Sequence, residues 1–243
     1  MTGTSTTKPT AFISGVGRRL GHFLATQLLA KGYRVLGHYR TQMAELESLQ
    51  AAGAELFQAD FTDTEQVVAL TEWVTSQTTQ LDLLLHNASA FGEPPEALLA
   101  KLQQFDQFYQ VHMRTPVQLT DAFTPLLKAA KHPSVIAITD IYVGHPNPKL
   151  ATYCATKAGL DNLCQSYARS LAPDVRVNTI EPGPIMFLDS HPDAYKEKIL
   201  AKTPLASEGG FLPIWQALSM LIDNHYMTGA RVQVDGGRSV AEL

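Results

Sequence analysis

Short β-forming runs that alternate with longer helical patterns constrain this chain most. Thr10–Ser14 leads into a helical pattern over Leu20–Lys31 that Gly32 stops. Arg34–Tyr39 reads as the next strand, followed by a helix near Ala44–Ala52 and a strand at Glu55–Ala59. Thr64–Gln77 is a third helix with Asp63 at its N-cap, and Leu81–Asn87 suits a strand buried on both faces. A helical stretch over Lys101–Ala130 follows, in which Pro116 and Pro125 predict kinks or breaks. Strands then fall at Ser134–Thr139, Val175–Ile180 and Arg231–Val234, with a helix over Ala151–Leu171 between the first two. Strands joined by helices require right-handed crossovers, hence a parallel sheet. The expectation is an α/β fold: a doubly wound parallel sheet of about seven strands, one domain over 10–243 behind a flexible polar leader at 1–9.

Glu181–Pro213 breaks the alternation with five prolines and three glycines. It reads either as a lid or binding excursion or as a variable surface loop. The 19 Lys+Arg against 23 Asp+Glu give a net charge of −4, no footprint for nucleic acid or an anionic membrane. No apolar run approaches the ~20 residues of a membrane span. Cys154 and Cys164, ten apart on one helix, are ~15 Å apart at 1.5 Å per residue, too far for a disulfide. A reduced, cytoplasmic protein is expected, with no metal site.

The chemistry gathers at strand ends, where ligands of doubly wound (Rossmann-type) sheets collect. Gly15-Val16-Gly17-Arg18-Arg19-Leu20-Gly21 opens the first helix. Glycines there let a pyrophosphate approach backbone N–H groups, and Arg18 and Arg19 add cationic donors. The second strand ends Tyr39-Arg40-Thr41 with no carboxylate. Arg40 can pair with a 2′-phosphate and Thr41 can donate to it, which favours NADPH over NADH. Asp60 after the third strand, and Asn87, Ala88 and Ser89 after the fourth, are suited to an adenine and to the floor of a cofactor cleft, or simply cap loops. Tyr153 and Lys157 lie one helical turn apart, and Asp140 ends the fifth strand. A tyrosine is a poor acid at neutral pH unless a cation favours its phenolate. Lys157 is placed to do that and to hold ribose hydroxyls.

Ser14-Gly15 through Gly21, Asn87-Ala88, Tyr153-x-x-x-Lys157, Glu181-Pro182-Gly183 and Asp235-Gly236-Gly237 resemble the short-chain dehydrogenases/reductases over nearly the whole length. Within that family the chain is most similar to the pteridine reductases, through Gly17–Gly21, His38–Thr41, His86–Phe91 and Thr139-Asp140. The resemblance implies catalysis by Asp140, Tyr153 and Lys157. It implies cofactor contacts from Gly15, Arg18, Arg19, Leu20, Tyr39, Arg40, Thr41, Asp60, Phe61, Asn87, Ala88, Ser89, Tyr153, Lys157, Pro182 and Gly183. It also implies substrate contacts from Arg19, Ser89, Phe91, Asp140 and Tyr153, and a homotetramer. Most family members carry Ser thirteen residues before the tyrosine, where this chain has Asp140, and Asn where it has His112. That puts the usual lysine–water proton relay in doubt, and His112 either replaces the Asn or merely packs.

A ketone needs a hydroxyl to polarise its oxygen. A dihydropterin presents a C=N bond whose nitrogen must gain a proton, and a carboxyl coupled to a tyrosine suits that. Phe91 either stacks on the flat ring or belongs to the core. Expected, then, is NADPH-dependent reduction of 7,8-dihydropterins, dihydromonapterin first and dihydrofolate more weakly. The alternatives are a ketone or ketoacyl reductase, in which Asp140→Ser should improve turnover, and a non-catalytic NADPH-binding regulator. Small residues Ala155, Ala158, Gly159 and Ala168 on the Tyr153 helix are compatible with a dimer seam.

Overall fold

Residues 8–241 are described by a computed structural model; residues 1–7 of the expected leader lie outside the described residues. The β-branched and leucine-rich runs form β1 (Thr10–Ser14), β2 (Arg34–Tyr39), β3 (Glu55–Gln58), β4 (Leu83–His86), β5 (Ser134–Ile138), β6 (Arg176–Pro182) and β7 (Arg231–Val234). They pair in parallel in the order β3-β2-β1-β4-β5-β6-β7. The chain winds outward through β1, β2 and β3, then returns to β4 beside β1, so the strand order reverses there and opens a crevice at the carboxyl ends.

Both faces of the sheet are covered, which is why its central strands carry no polar face. The described helices are α1 (Arg19–Ala30), α2 (Glu45–Ala51), α3 (Thr64–Gln77), α4 (Leu98–Tyr109), α5 (Thr115–Lys128), α6 (Ala151–Ser170), α7 (Asp193–Ala201) and α8 (Leu212–Asp223). Helices α3, α5 and α6 pack Val67, Leu70, Leu119, Phe123 and Leu160 on one face, where Phe12 meets Phe123 edge-on at 5.4 Å. Helices α1, α2 and α8 pack Leu24, Leu28, Leu49, Ile214 and Leu218 on the other, against Ile13 and Leu85. Asp63 caps α3 by accepting the N–H groups of Glu65 and Gln66 at 2.9 and 3.2 Å, as the sequence implies.

Three features depart from expectation. The long helix does not yield at Pro125, which sits inside α5; it opens into a π turn at Gln110–Arg114. The carbonyl four residues before Pro116 belongs to His112, so the wide turn relieves the clash a proline ring makes there. Second, the proline-rich excursion hides α7, and Pro213 begins α8 rather than ending a loop, because proline is favoured in a helix's first turn. Third, the small residues of α6 do not share one outward face. Ala168 is buried in the core, and a Cβ at Gly159 would lie 2.5 Å from Met113 Cε of the π turn. Both cysteines are free and buried.

One polar tie crosses the far half of the sheet. Asp161 on α6, 2% exposed, accepts from Arg231 Nε of β7 at 2.9 and 3.0 Å. Asp161→Ala leaves the guanidinium without its anion. Because Arg231 is half exposed, the expected loss in a urea melt is about 2 kcal/mol, below that of a fully buried broken pair.

Candidate active site

The crevice begins at the turn after β1. Gly15 has φ +78°, a conformation that suits only glycine, and a Cβ there would press on Ala88 Cα at 2.9 Å. Gly21 abuts the Gly15 carbonyl so closely that any side chain would collide with it. Gly17 is different: a Cβ there meets nothing nearer than 3.7 Å. Its glycine leaves open room that the chain itself does not use, at the N-terminus of α1. Arg19 holds φ +52°, an uncommon strain for a non-glycine residue. This donor set (backbone N–H groups, Arg18, Arg19 and Arg40, all three arginines exposed) fits the pyrophosphate and phosphates of a dinucleotide.

The turn is braced by Ser14, His38 and Asn87, the last of which the sequence offers as lining for the cofactor cleft. Ser14 Oγ accepts the N–H groups of Asn87 and Ala88, each at 3.0 Å. Asn87 Nδ2 donates to the carbonyls of Ser14 and Gly15, also at 3.0 Å, so this amide knits the two strand ends together. His38 Nδ1 accepts the Gly15 N–H at 3.2 Å, and its Nε2–H donates to the Ala59 carbonyl at 2.9 Å. Burial pushes the His38 imidazole down to about 4, so it stays neutral in that tautomer. The signal was present as a histidine inside an apolar strand, paired in register with Ser14.

Several expected residues are placed differently from a ring of direct contacts. The Phe61 ring is buried and stacks on His38 at 3.9 Å, behind the cleft wall. Asp60 Oδ1 already accepts from the Thr62 N–H and hydroxyl, both at 2.8 Å. Leu20 and Tyr39 pack on the core, with Arg40 and Thr41 exposed beyond them. Pro182 ends β6 and Gly183 follows it, where a Cβ on Gly183 would sit 2.7 Å from Asp235. Arg19 Nη2 donates across the cleft to the Met186 carbonyl of the excursion at 2.7 Å, a contact no motif foretells.

The reactive groups converge beside β4 and β5. Tyr153 is buried, and its hydroxyl donates to Asp140 Oδ2 at 2.9 Å. Asp140 Oδ1 accepts the Tyr142 N–H at 2.9 Å. Lys157 is fully enclosed, donates to the Ile138 carbonyl at 3.0 Å and lies 6.0 Å from the Tyr153 ring centre. Ser89 opens onto the cleft, and Phe91 stands 64% exposed with its ring edge-on to Tyr153 at 5.1 Å. A core role for Phe91 is therefore excluded.

Electrostatics correct one expectation. The sequence has Lys157 drawing the Tyr153 phenol toward ionisation. Instead burial, then the Asp140 charge, raise the phenol well above its usual value. Burial also raises Asp140, against the pull of the Tyr142 N–H, Lys157 and Tyr153. Burial lowers Lys157 to about 8, with Asp140 opposing. Tyr153 is thus a neutral O–H donor, next to a carboxyl that resists losing its proton. Together these groups can deliver a proton to an atom held between Tyr153 and Phe91.

A family model described as enoyl-(acyl carrier protein) reductase matches residues 15–239. The chain belongs to the short-chain dehydrogenase/reductase family and is an oxidoreductase of the kind that uses a nicotinamide cofactor. It is similar to proteins named dihydromonapterin reductase. That of Klebsiella pneumoniae is 36% identical over 229 residues, and that of an Enterobacter species 36% over 233. The Escherichia coli K12 protein is 36% identical over 230 residues; each alignment covers 93% of this chain and 95% of the relative. Among the described residues no helix is long and apolar enough to cross a membrane.

Proposed function

We propose that this protein reduces the C=N bond of a 7,8-dihydropterin with NADPH, dihydromonapterin foremost and dihydrofolate more weakly, as a cytoplasmic homotetramer. The observation that carries the reading is Asp140, bonded to Tyr153 where a carbonyl reductase of this family would present a hydroxyl. The names of the similar proteins support the same substrate class.

A bound reduced nicotinamide supplies a hydride, two electrons with one proton, to the carbon of the C=N bond. The remaining proton must reach the nitrogen. With Asp140 protonated, its O–H donates to Tyr153 Oη, and the phenolic O–H then turns to the substrate nitrogen. As that nitrogen takes the phenolic proton, the Asp140 proton moves to the phenol. The pair is left as a carboxylate accepting from a tyrosine, across the 2.9 Å that separates Asp140 Oδ2 from Tyr153 Oη. Lys157, anchored on Ile138, braces the helical turn under Tyr153 and would hold the ribose hydroxyls of a bound cofactor. Phe91 supplies an exposed aromatic face for the pterin, and Arg19 reaches phosphate and the substrate edge.

The decisive assay follows NADPH oxidation with dihydromonapterin, dihydrobiopterin, dihydrofolate and a panel of ketones. Dihydropterin turnover above every ketone is expected. Turnover of ketones alone would assign the site to an ordinary carbonyl reductase, and no turnover at all would leave a binding protein. Arg40→Ala should raise the KM for NADPH about 10–100-fold while leaving that for NADH nearly constant, since a charge-assisted bond to phosphate contributes about 1.5–3 kcal/mol. An equal effect on both cofactors would move 2′-phosphate recognition elsewhere.

A further inference from the structure

One buried histidine beside the site has every ring nitrogen occupied. His112 lies in the π turn at Gln110–Arg114 and is fully buried, its ring stacked on Phe108 at 5.7 Å and edge-on to Tyr153 at 5.6 Å. Its Nε2 receives the Ala90 backbone N–H at 3.1 Å. A backbone amide can only donate, so Nε2 carries no proton and the neutral ring holds its hydrogen on Nδ1. Nδ1–H donates to Thr156 Oγ1 at 2.9 Å, and that hydroxyl in turn donates to the Tyr153 carbonyl at 2.9 Å. The tautomer is therefore fixed from both sides. Burial, with Lys157 nearby, also keeps the ring uncharged.

The consequence falls on Ser89. Its Oγ lies 2.9 Å from His112 Nε2. A bond between them exists only if the serine hydroxyl donates. We infer that His112, locked as its Nδ1–H tautomer by Ala90 and Thr156, is a positioning residue that commits the Ser89 proton and leaves the serine oxygen facing the cleft as an acceptor only. An acceptor-only serine selects a substrate that offers an N–H or NH2 group at that point and disfavours one that offers a carbonyl oxygen. This specificity rests on the dihydropterin reading and deepens it: the ring is oriented by one of its nitrogen-bound hydrogens.

Two measurements test it separately. Long-range 1H–15N spectra of the wild-type protein should show His112 with a pyridine-like Nε2 and a pyrrole-like Nδ1. The reverse pattern, or a charged ring, overturns the proposal whatever the enzyme reduces. In kinetics, Ser89→Ala and Thr156→Val should each raise the dihydropterin KM at least tenfold, with kcat changed less than threefold; in Thr156→Val the NADPH Kd should stay constant. Thr156→Val on the Ser89→Ala background should add nothing. His112→Gln, whose Oε1 can stand in for Nε2, should restore most of what His112→Phe loses. Additive effects, or a kcat loss without a KM change, would reduce His112 to a packing residue. If the wild type turns over no dihydropterin, the functional reading and the substrate-side claim fall together, while the spectra still decide the tautomer.

Discussion

Tyr153→Phe is expected to leave a folded protein that binds NADPH yet reduces dihydropterin about 10²–10⁴ times more slowly, the range general acids supply. Tyr153 packs edge-on against Phe91, Phe108 and His112, with ring centres 5.1–5.8 Å apart, and phenylalanine keeps all three contacts. What it removes is the one hydroxyl that joins Asp140 to the cleft. Asp140 then has no partner through which to pass a proton, and water must substitute. Because the phenol is pushed well above its usual value, the wild-type group is un-ionised across neutral pH and acts as a donor throughout. Single-turnover measurements should show the loss in the chemical step, with NADPH binding and the thermal midpoint close to wild type. A variant retaining more than a third of the rate would move the acid to Asp140 acting through water.

The alternation of strands and helices made the parallel sheet and its carboxyl-end crevice legible, because periodicity and glycine turns are local properties; the strand order was not, since it depends on which strands pair. Helix α8 escaped because the proline-rich excursion runs up to Pro213 in the sequence, although proline in a first turn marks a start. The π turn was half legible: Pro116 announced a disturbance, but whether it appears as a kink or as an inserted residue depends on what packs around it. The site divides the same way. Asp140, Tyr153 and Lys157 could be brought together from a strand end and one helical turn, but their joint catalytic role rests on the family resemblance, since that spacing is common by chance. The sign of the Tyr153 shift could not be read that way, because it depends on burial and on the Asp140 carboxyl 2.9 Å away, both of them tertiary facts. Asn87 and Asp60 show a further limit. A polar residue at a strand end has the right chemistry for a ligand, but whether its side chain is already spent on the backbone is a tertiary fact.

The second large effect is on pH dependence. Activity as proposed requires Asp140 to hold a proton, and burial raises its affinity for that proton above its ordinary value. As pH rises through that raised value, the protonated fraction falls tenfold per unit. With a saturating dihydropterin, kcat should therefore be greatest on the acid side and decline with slope −1 above the Asp140 titration. The sign would reverse if Asp140 served as a carboxylate base. Asp140→Asn separates the cases, since an amide can donate a hydrogen bond to Tyr153 but cannot give up a proton. It should slow the reaction about 10²–10⁴-fold and flatten the declining limb, leaving only the shallow dependence of substrate and cofactor binding. Asp140→Ser should fail to rescue dihydropterin reduction while opening the site to ketones, whose oxygen needs a hydroxyl to polarise it and no carboxyl proton. A limb that persists unchanged in Asp140→Asn would place the titrating group elsewhere, and Lys157, lowered to about 8, would be the group to replace next.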